Sequence, residues 1–298
     1  MTAAAKAPLT WRETIGAYVA LTKPRIISLL LITTIPAMIL ADQGMPSAWL
    51  VLATVFGGTL AAGGANAINC YFDRDIDEIM HRTQGRPLPM GKMEPRDALI
   101  FALVLEAAAF VVLVATSNLL AGVLALSATV FYVFVYTIWL KRTSRQNIVI
   151  GGAAGAVPPL VGWAAVTGDI GWPAVVLFAI VFFWTPPHFW ALSIRYRDDY
   201  ARARVPMLPV VATLAETKTQ IFWYAAVLVP VSLLLIATGA VGWIYAVAAI
   251  GLGAGFVRAT WLLRSDDRPG AAMGVFKWSI YYLALLFVAV AADQLIAG

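Results

Sequence analysis

The chain carries little charge and a single cysteine. Only 12% of its 298 residues are Asp, Glu, Lys or Arg, whereas soluble domains carry about 25%. Because Cys70 is the only cysteine, an intramolecular disulfide is excluded. The remainder is strongly apolar, with 61% hydrophobic residues and a mean hydropathy of +0.82. This composition is typical of a protein embedded in a lipid bilayer.

Apolar runs long enough to cross a membrane recur along the whole chain. A helix needs roughly 20 predominantly apolar residues to span the hydrocarbon core. We therefore predict an all-α, polytopic membrane protein with nine transmembrane helices. The predicted helices cover residues 26–41, 49–68, 98–115, 119–140, 148–166, 172–194, 221–238, 243–263 and 276–296.

The positively charged residues alternate with these runs. All 21 Lys and Arg residues lie in the amino-terminal segment or in, or beside, every second connection. The intervening connections, residues 42–48, 116–118, 167–171 and 239–242, contain none. Cytoplasmic loops are enriched in Lys and Arg, so we predict a cytoplasmic amino terminus and an outside carboxyl terminus. The net charge of +5 thus reports orientation and gives no reason to expect nucleic acid.

By composition we expect that the amino-terminal segment is not a targeting signal. It lacks the apolar region and cleavage pattern of a secretory signal, and it is too poor in Arg for a mitochondrial presequence. We therefore predict a bacterial inner-membrane protein. No second domain is visible, so residues 1–298 are predicted to form one transmembrane domain, with residues 1–22 as a cytoplasmic segment.

An acidic motif follows the second predicted helix. In a helix, steps of four residues place Asn69, Asp73 and Asp77 on one face. Mg²⁺ prefers a few carboxylates completed by water and substrate phosphates, so this face is typical of a magnesium site for a phosphorylated substrate. The alternative is a solvated acidic helix end, partly neutralised by Arg74 and Arg82.

Cations and a second acidic pair lie on the same predicted side of the membrane. Guanidinium groups bind diphosphate oxygens bidentately, which makes Arg82 and Arg86 candidates for that role; the alternative is that they anchor the loop to anionic headgroups. Asp198 and Asp199 form a second acidic site among arginines. Further candidates for phosphate binding, or for ordinary membrane anchoring, are Lys141 and Arg142.

In combination these motifs resemble the intramembrane aromatic prenyltransferases of the UbiA superfamily, and within it the branch that farnesylates haem. The resemblance covers residues from about 20 to 290. It is carried by Asn69-x-x-x-Asp73-x-x-x-Asp77, Lys23-Pro24-Arg25, Arg82-Thr83-x-x-Arg86-Pro87-Leu88, Tyr136-Thr137-x-x-Leu140-Lys141-Arg142, Trp184-Thr185-Pro186-Pro187-His188-Phe189-Trp190 and Asp198-Asp199-Tyr200 through Pro206-Met207-Leu208-Pro209.

The resemblance implies a reaction and a set of ligands. Farnesyl would pass from farnesyl diphosphate to a vinyl group of haem b, with addition of water, in a lipid-accessible cavity within the helices. Mg²⁺ is the implied cofactor, held by the acidic motif and by Asp198 with Asp199. Haem b is a substrate, and haem A synthase or terminal oxidase assembly factors are implied downstream partners. Substrate-binding residues implied by the motifs are Lys23, Arg25, Arg82, Arg86, Tyr136, Lys141, Arg142 and His188.

Two buried polar residues leave alternatives open. His188 could coordinate haem iron, bind a propionate or orient water, or could bond a backbone carbonyl freed by the adjacent prolines. Glu106 lies within the third predicted helix, where acids are costly and often functional. Other acceptors, a quinone-precursor ring or chlorophyllide, also suit the acidic motifs. A cation-coupled transporter suits them less well, because transporter sites lie near the bilayer midplane.

Overall fold

The computed structural model describes residues 10–268 and 270–297, and over these residues it contains helices and turns but no strand. The predicted all-α fold is confirmed, whereas residues 1–9 of the predicted cytoplasmic segment lie outside the described part. The helices are α1 Trp11–Thr22, α2 Pro24–Asp42, α3 Ala48–Phe72, α4 Arg74–Ile79, α5 Pro95–Thr116, α6 Leu119–Thr143, α7 Asn147–Thr167, α8 Trp172–Arg195, α9 Arg197–Arg202, α10 Leu208–Val211, α11 Leu214–Ala237, α12 Trp243–Ser265 and α13 Ala271–Ala292.

Eight of the described helices are long and apolar enough to cross a membrane: α3, α5, α6, α7, α8, α11, α12 and α13. They match eight of the nine predicted spans. The first predicted span, residues 26–41, falls in α2, which has 19 residues. The prediction of a membrane protein is confirmed.

The long helices pack side by side in a closed ring. Consecutive helices contact one another from α2 through α3, α5, α6, α7, α8, α11, α12 and α13, and α13 packs back against α2. The ends of α3, α6 and α8 lie at one side of the bundle, since Lys141 at the end of α6 contacts Asp73 after α3, and Arg82 in the next loop contacts Asp199 after α8. The loops that follow these three helices carry the acidic and basic motifs.

The amino-terminal helix α1 was not predicted. A capping box begins it: the Thr10 hydroxyl accepts from the Glu13 amide, and the Glu13 carboxylate accepts from the Thr10 amide at 2.8 Å. Ala17 and Leu21 are buried, and α1 contacts α3. The chain then turns at Lys23, whose φ of 54° lies in the left-handed region, and this turn brings Lys23 beside the end of α3.

Helices α6 and α7 depart from regular α geometry. In α6 the segment Phe131–Leu140 is a π-helix, which is rare and concentrates at functional sites. Helix α7 is divided at Val157, between Asn147–Ala156 and the segment that begins with Pro158. Proline cannot donate to the preceding turn, so the division follows from the sequence.

Buried polar side chains form hydrogen bonds between helices, and two examples involve Glu106 and Asp293. The Glu106 carboxylate of α5 accepts from the Thr129 hydroxyl of α6 at 3.1 Å, next to Gly64 of α3. A Cβ at Gly64 would lie 2.6 Å from Glu106 Oε1, so only glycine allows this approach. At the other side of the bundle the buried Asp293 carboxylate accepts backbone bonds from Ile244 and Tyr245 and caps α12.

Candidate active site

The predicted acidic face is present, although the helix that carries it is divided. Helix α3 ends at Phe72, and α4 begins at Arg74. The backbone bonds Asp73 N to Asn69 O at 2.9 Å and Asp77 N to Asp73 O at 2.8 Å keep the four-residue spacing across the junction. Asn69, Asp73 and Asp77 are all buried, at 4%, 0% and 2% exposure. The alternative of a solvated acidic helix end is therefore wrong.

Each member of this face contacts a cation from another part of the chain. The Lys141 ammonium binds Asp73, and Arg86 Nη1 lies 2.6 Å from Asp77 Oδ2. Lys23 Nζ donates to Asn69 Oδ1 at 2.7 Å. Burying a carboxylate without a partner is strongly unfavourable, and these contacts give both buried acids a cationic partner.

Burial and neighbouring charges shift the pKa values of two of these cations, Lys23 and Arg86. Burial lowers the pKa of Lys23 to about 8. Burial opposes the charge of Arg86 as well, but Asp77 more than compensates and the pKa of Arg86 lies above its usual value. Arg86 therefore stays charged at any physiological pH, whereas Lys23 loses its charge more easily than Arg86 does.

The side-chain amide of Asn69 is fixed in orientation. Its Nδ2 donates to Asp73 Oδ2 at 2.7 Å and to the Thr137 hydroxyl at 3.1 Å. Thr137 lies in the π-helical segment of α6, which also positions Lys141 one residue beyond its end. Asp73 Oδ1 is buried and has no hydrogen bond. One carboxylate oxygen thus remains available for a ligand beside the oriented amide.

The second acidic loop contacts the first. The Arg82 amide donates to Asp199 Oδ2 at 3.3 Å, and Arg82 Nη2 lies 3.2 Å from the Tyr200 hydroxyl. Arg202 also pairs with Asp199, which is buried. Asp198 is exposed, so the two neighbouring acids point in different directions. The structure brings Asp199 to the first loop and leaves Asp198 at the surface.

The remaining predicted residues occupy different places. Arg142 forms a bidentate pair with Asp75 at 2.7 and 2.8 Å, and its Nη2 lies 3.9 Å from Asp73 Oδ1. This bond from Arg142 lowers the pKa of Asp75 to about 2. Arg25 is exposed. The Tyr136 ring stacks on Tyr132, with ring centres 5.3 Å apart.

Sequence reasoning missed four residues of this site: Asp75, Thr137, Tyr200 and Arg202. Asp75 and Thr137 stand inside motifs that were recognised, so their proximity in sequence was the available signal. Tyr200 and Arg202 follow the second acidic pair within three residues. Their contacts with Arg82 and Asp199 depend on how the loops meet, which no local pattern reveals.

His188 lies apart from the acidic residues, on α8. It is seven residues before Arg195, where α8 ends, which places it about 10 Å deeper in the bundle. Its Nδ1 lies 2.7 Å from the Ser279 hydroxyl of α13. The candidate site therefore has an acidic and basic level at the loops and a separate histidine level below it.

The oxygen donors of the first loop suit a hard divalent cation. Asn69, Asp73 and Asp77 offer an amide oxygen and two carboxylates, which are ligand types that Mg²⁺ accepts. Asp73 Oδ1, which accepts no hydrogen bond, is consistent with such a ligand. Among the described residues, no group of three His, Cys, Asp or Glu side chains could hold a metal alone. A metal here would need the Asn69 amide or substrate oxygens as well.

Comparison with known proteins identifies the fold and the family. Residues 30–291 match the family model described as the UbiA prenyltransferase family. The protoheme IX farnesyltransferase of Clavibacter michiganensis is 55% identical over 294 residues, which cover 96% of each chain. That of Gloeobacter violaceus is 56% identical and covers 93% of this chain and 92% of its own. The Chloroflexus aurantiacus enzyme of the same name is 52% identical, and the chain spans about half of its length.

Solved structures share the architecture at lower identity. A structure of digeranylgeranylglyceryl phosphate synthase superposes with a TM-score of 0.78 at 20% identity, covering 95% of this chain and 99% of the other. A UbiA homolog from Archaeoglobus fulgidus bound to DMAPP and Mg²⁺ gives a TM-score of 0.67 at 15% identity, covering 93% and 99%. The paired acidic loops, the helical bundle and the matched sequence agree, and the chain belongs to the UbiA prenyltransferase family.

Proposed function

We propose that the protein transfers a farnesyl group from farnesyl diphosphate to a vinyl group of haem b, with addition of water, and releases haem O and diphosphate. Relatives more than 50% identical over nearly their full length bear the name protoheme IX farnesyltransferase. The observation that carries the proposal is the contact of Arg82 with Asp199, because it joins the two acidic loops at one site.

The reaction requires stabilisation of a departing diphosphate. The allylic carbon–oxygen bond breaks, its electron pair leaves with diphosphate, and the farnesyl carbon becomes cationic. The vinyl group of haem then attacks that carbon. Water captures the resulting porphyrin-side cation and releases a proton. Fixed positive groups lower the barrier because they bind the charge that develops on the leaving group.

The cations of the site suit that task. Lys141 and Arg86 already contact the acidic face, and Arg82 lies between the two loops. In this proposal these three residues bind the diphosphate oxygens, with Lys23 and Arg142 as neighbouring contacts and Tyr136 beside them. Arg25, which is exposed, is proposed to meet the diphosphate as it enters.

Mg²⁺ is the proposed cofactor. Asn69, Asp73 and Asp77 would hold one ion, and Asp199 with Asp198 a second. When bound, the ions supply Lewis-acid stabilisation of the diphosphate charge. The chain's own contribution is to exclude water from the acidic face, which is almost fully buried, and to place cations beside its carboxylates.

The proposed setting is the bacterial inner membrane, with the site towards the cytoplasm. The Lys and Arg residues around α3, α6 and α8 support that orientation. The product haem O would then pass to a haem A synthase or to terminal oxidase assembly factors.

Product analysis tests the proposal directly. Purified protein is incubated with haem b, farnesyl diphosphate and Mg²⁺, and the pigment is analysed by mass spectrometry. The expected product is haem b plus one farnesyl group and one hydroxyl group. Parallel reactions offer a quinone-precursor ring and chlorophyllide as acceptors. Prenylation of either of these, with haem b unchanged, would overturn the choice of acceptor. Uptake of substrate into liposomes without any covalent product would overturn the enzymatic assignment.

A further inference from the structure

The His188 side chain is held by Ser279, a polar residue that lies outside the sequence motifs described above. Its Nδ1 lies 2.7 Å from Ser279 Oγ, and its ring is stacked on Trp184 with centres 4.2 Å apart. Phe276 covers the ring at 4.7 Å. The Trp184 indole donates to the Ser279 backbone oxygen at 2.7 Å. The imidazole is therefore fixed in position by contacts between α8 and α13.

The hydrogen bonds of Ser279 determine which imidazole nitrogen carries the proton. Ser279 Oγ lies 2.6 Å from the backbone oxygen of Phe276. Two oxygens at that separation need a hydrogen between them, so the hydroxyl donates to Phe276. A serine hydroxyl has one proton, which leaves Oγ as an acceptor towards His188. The proton is accordingly on Nδ1 of His188, and Nε2 carries the free electron pair.

Nε2 of His188 is open to a ligand. Among the described residues it has no hydrogen-bond partner, and it is not one of the fully buried polar atoms that lack one. The His188 side chain is half-buried, so part of it is exposed. Histidines that bind metals characteristically donate their other N–H to a neighbouring acceptor, which fixes ring orientation and raises the basicity of the ligating nitrogen. The Ser279–His188 pair has that arrangement.

We infer that Ser279 is a positioning residue: it fixes His188 as the Nδ1–H tautomer so that Nε2 binds the iron of the haem substrate. The inference rests on the proposed function insofar as haem b is the acceptor. It assigns a role to Ser279 and selects iron coordination among the possible roles of His188. The histidine level, about 10 Å below the acidic loops, then holds the porphyrin while the diphosphate remains with the cations above.

The first test needs no haem. The chain has only two histidines, His81 and His188, so protein labelled with ¹⁵N-histidine gives two imidazoles, which a His81→Gln variant separates. Wild-type His188 is expected to give the nitrogen shifts of the Nδ1–H tautomer. Ser279→Ala is expected to lose them and Ser279→Thr, which keeps the hydroxyl, to retain them. An unchanged His188 pattern in Ser279→Ala would overturn the inference.

Ser232→Ala is the matched control. Ser232 is also fully buried, donates within its own helix to Val229 at 2.7 Å, and offers its backbone oxygen to the Tyr245 hydroxyl. Its removal costs a similar intrahelical bond, but Ser232 lies on α11, whereas the residues that hold His188 lie on α8 and α13. Both serine backbones keep their partners in the alanine variants, so the fold is expected to survive. The inference requires that Ser232→Ala leave the His188 spectrum unchanged.

The second test uses ferric haem b as the probe. Titration followed by absorption and electron paramagnetic resonance should show a nitrogen ligand in wild type that is lost in His188→Ala. Loss of a residue that orients a metal ligand costs about 10–100-fold in affinity, so Ser279→Ala should weaken haem binding about tenfold or more and Ser279→Thr much less.

These experiments distinguish a failure of the Ser279–His188 inference from a failure of the proposed farnesyl transfer. If His188→Ala binds haem with the wild-type spectrum, the inference is overturned even when farnesyl transfer proceeds. If wild-type protein binds haem through nitrogen but forms no farnesylated product, the inference is supported and the proposed function is overturned.

Discussion

The backbone amide of Arg82 donates to the carboxylate of Asp199 at 3.3 Å, across 117 residues of sequence. This bond decides how the two acidic loops are related. Had they faced away from each other, two separate surface features would have explained them. Instead, the loop after α3 and the loop after α8 meet, and the cations of both lie at one place.

Substitution of Asp73 tests the acidic face. Asp73→Asn should reduce farnesyl transfer at least about 100-fold, because it removes the charge that Lys141 neutralises and an oxygen available to a metal. Glu78→Gln is the control, since Glu78 is exposed on α4, the short helix that follows Asp73. Product formation is measured by mass spectrometry at saturating and at low Mg²⁺. Full activity of Asp73→Asn at low Mg²⁺ would contradict the assignment.

The two acids of the second loop should differ. Asp199→Asn is expected to lower activity about tenfold or more, since it weakens charged hydrogen bonds to Arg82 and Arg202 that are worth about 1.5–3 kcal/mol. Asp198→Asn should cause a smaller loss because Asp198 is exposed. The comparison uses initial rates at varied farnesyl diphosphate. Equal losses would show that burial does not distinguish their roles.

Close packing at Gly64 predicts that alanine substitutions at two glycines of α3, Gly64 and Gly58, differ in their effect on protein stability. Gly64→Ala should destabilise the bundle by about 1–3 kcal/mol, because the new methyl group would meet Glu106 and the Ala102 backbone oxygen. At Gly58 a Cβ meets nothing within 4 Å, so Gly58→Ala is the control. Buried Cys70, the single cysteine, reports unfolding when a thiol-reactive fluorophore is added during heating. A similar melting temperature for both variants would contradict the packing argument.

The predicted orientation can be tested with introduced cysteines. Glu78→Cys lies in the same loop as the acidic face, and Asp169→Cys lies between α7 and α8, at the other end of the bundle. In intact bacterial cells a membrane-impermeant maleimide should label Asp169→Cys only. After the cells are broken, both should react, while buried Cys70 contributes little background. Labelling of Glu78→Cys in intact cells would reverse the orientation.

Much of the fold was predictable because the bilayer imposes simple rules. Apolar runs long enough to cross it identified the long helices, and these correspond to helices in the structure. The acidic face was predictable for a similar reason, since the spacing of Asn69, Asp73 and Asp77 has the helical period. Both predictions depend only on residues that are close in sequence.

The features that sequence did not predict depend on contacts between distant segments. Glu106 meets Thr129 across two helices, and Lys23 meets Asn69 only because the chain turns with a positive φ before α2. Helix α1 is the exception. Its capping box, Thr10 with Glu13, was a readable local signal that went unused because the segment precedes the first apolar run.

The direction in which the Lys141 side chain points depends on the number of residues in the π-helical stretch Phe131–Leu140 that precedes it. Each residue of an ordinary helix turns the next by about 100°, so a one-residue deletion in this stretch would swing Lys141 away from Asp73 without altering either side chain. Natural insertions and deletions within α6 are therefore expected to be tolerated poorly, even at lipid-facing positions whose side chains are freely exchangeable.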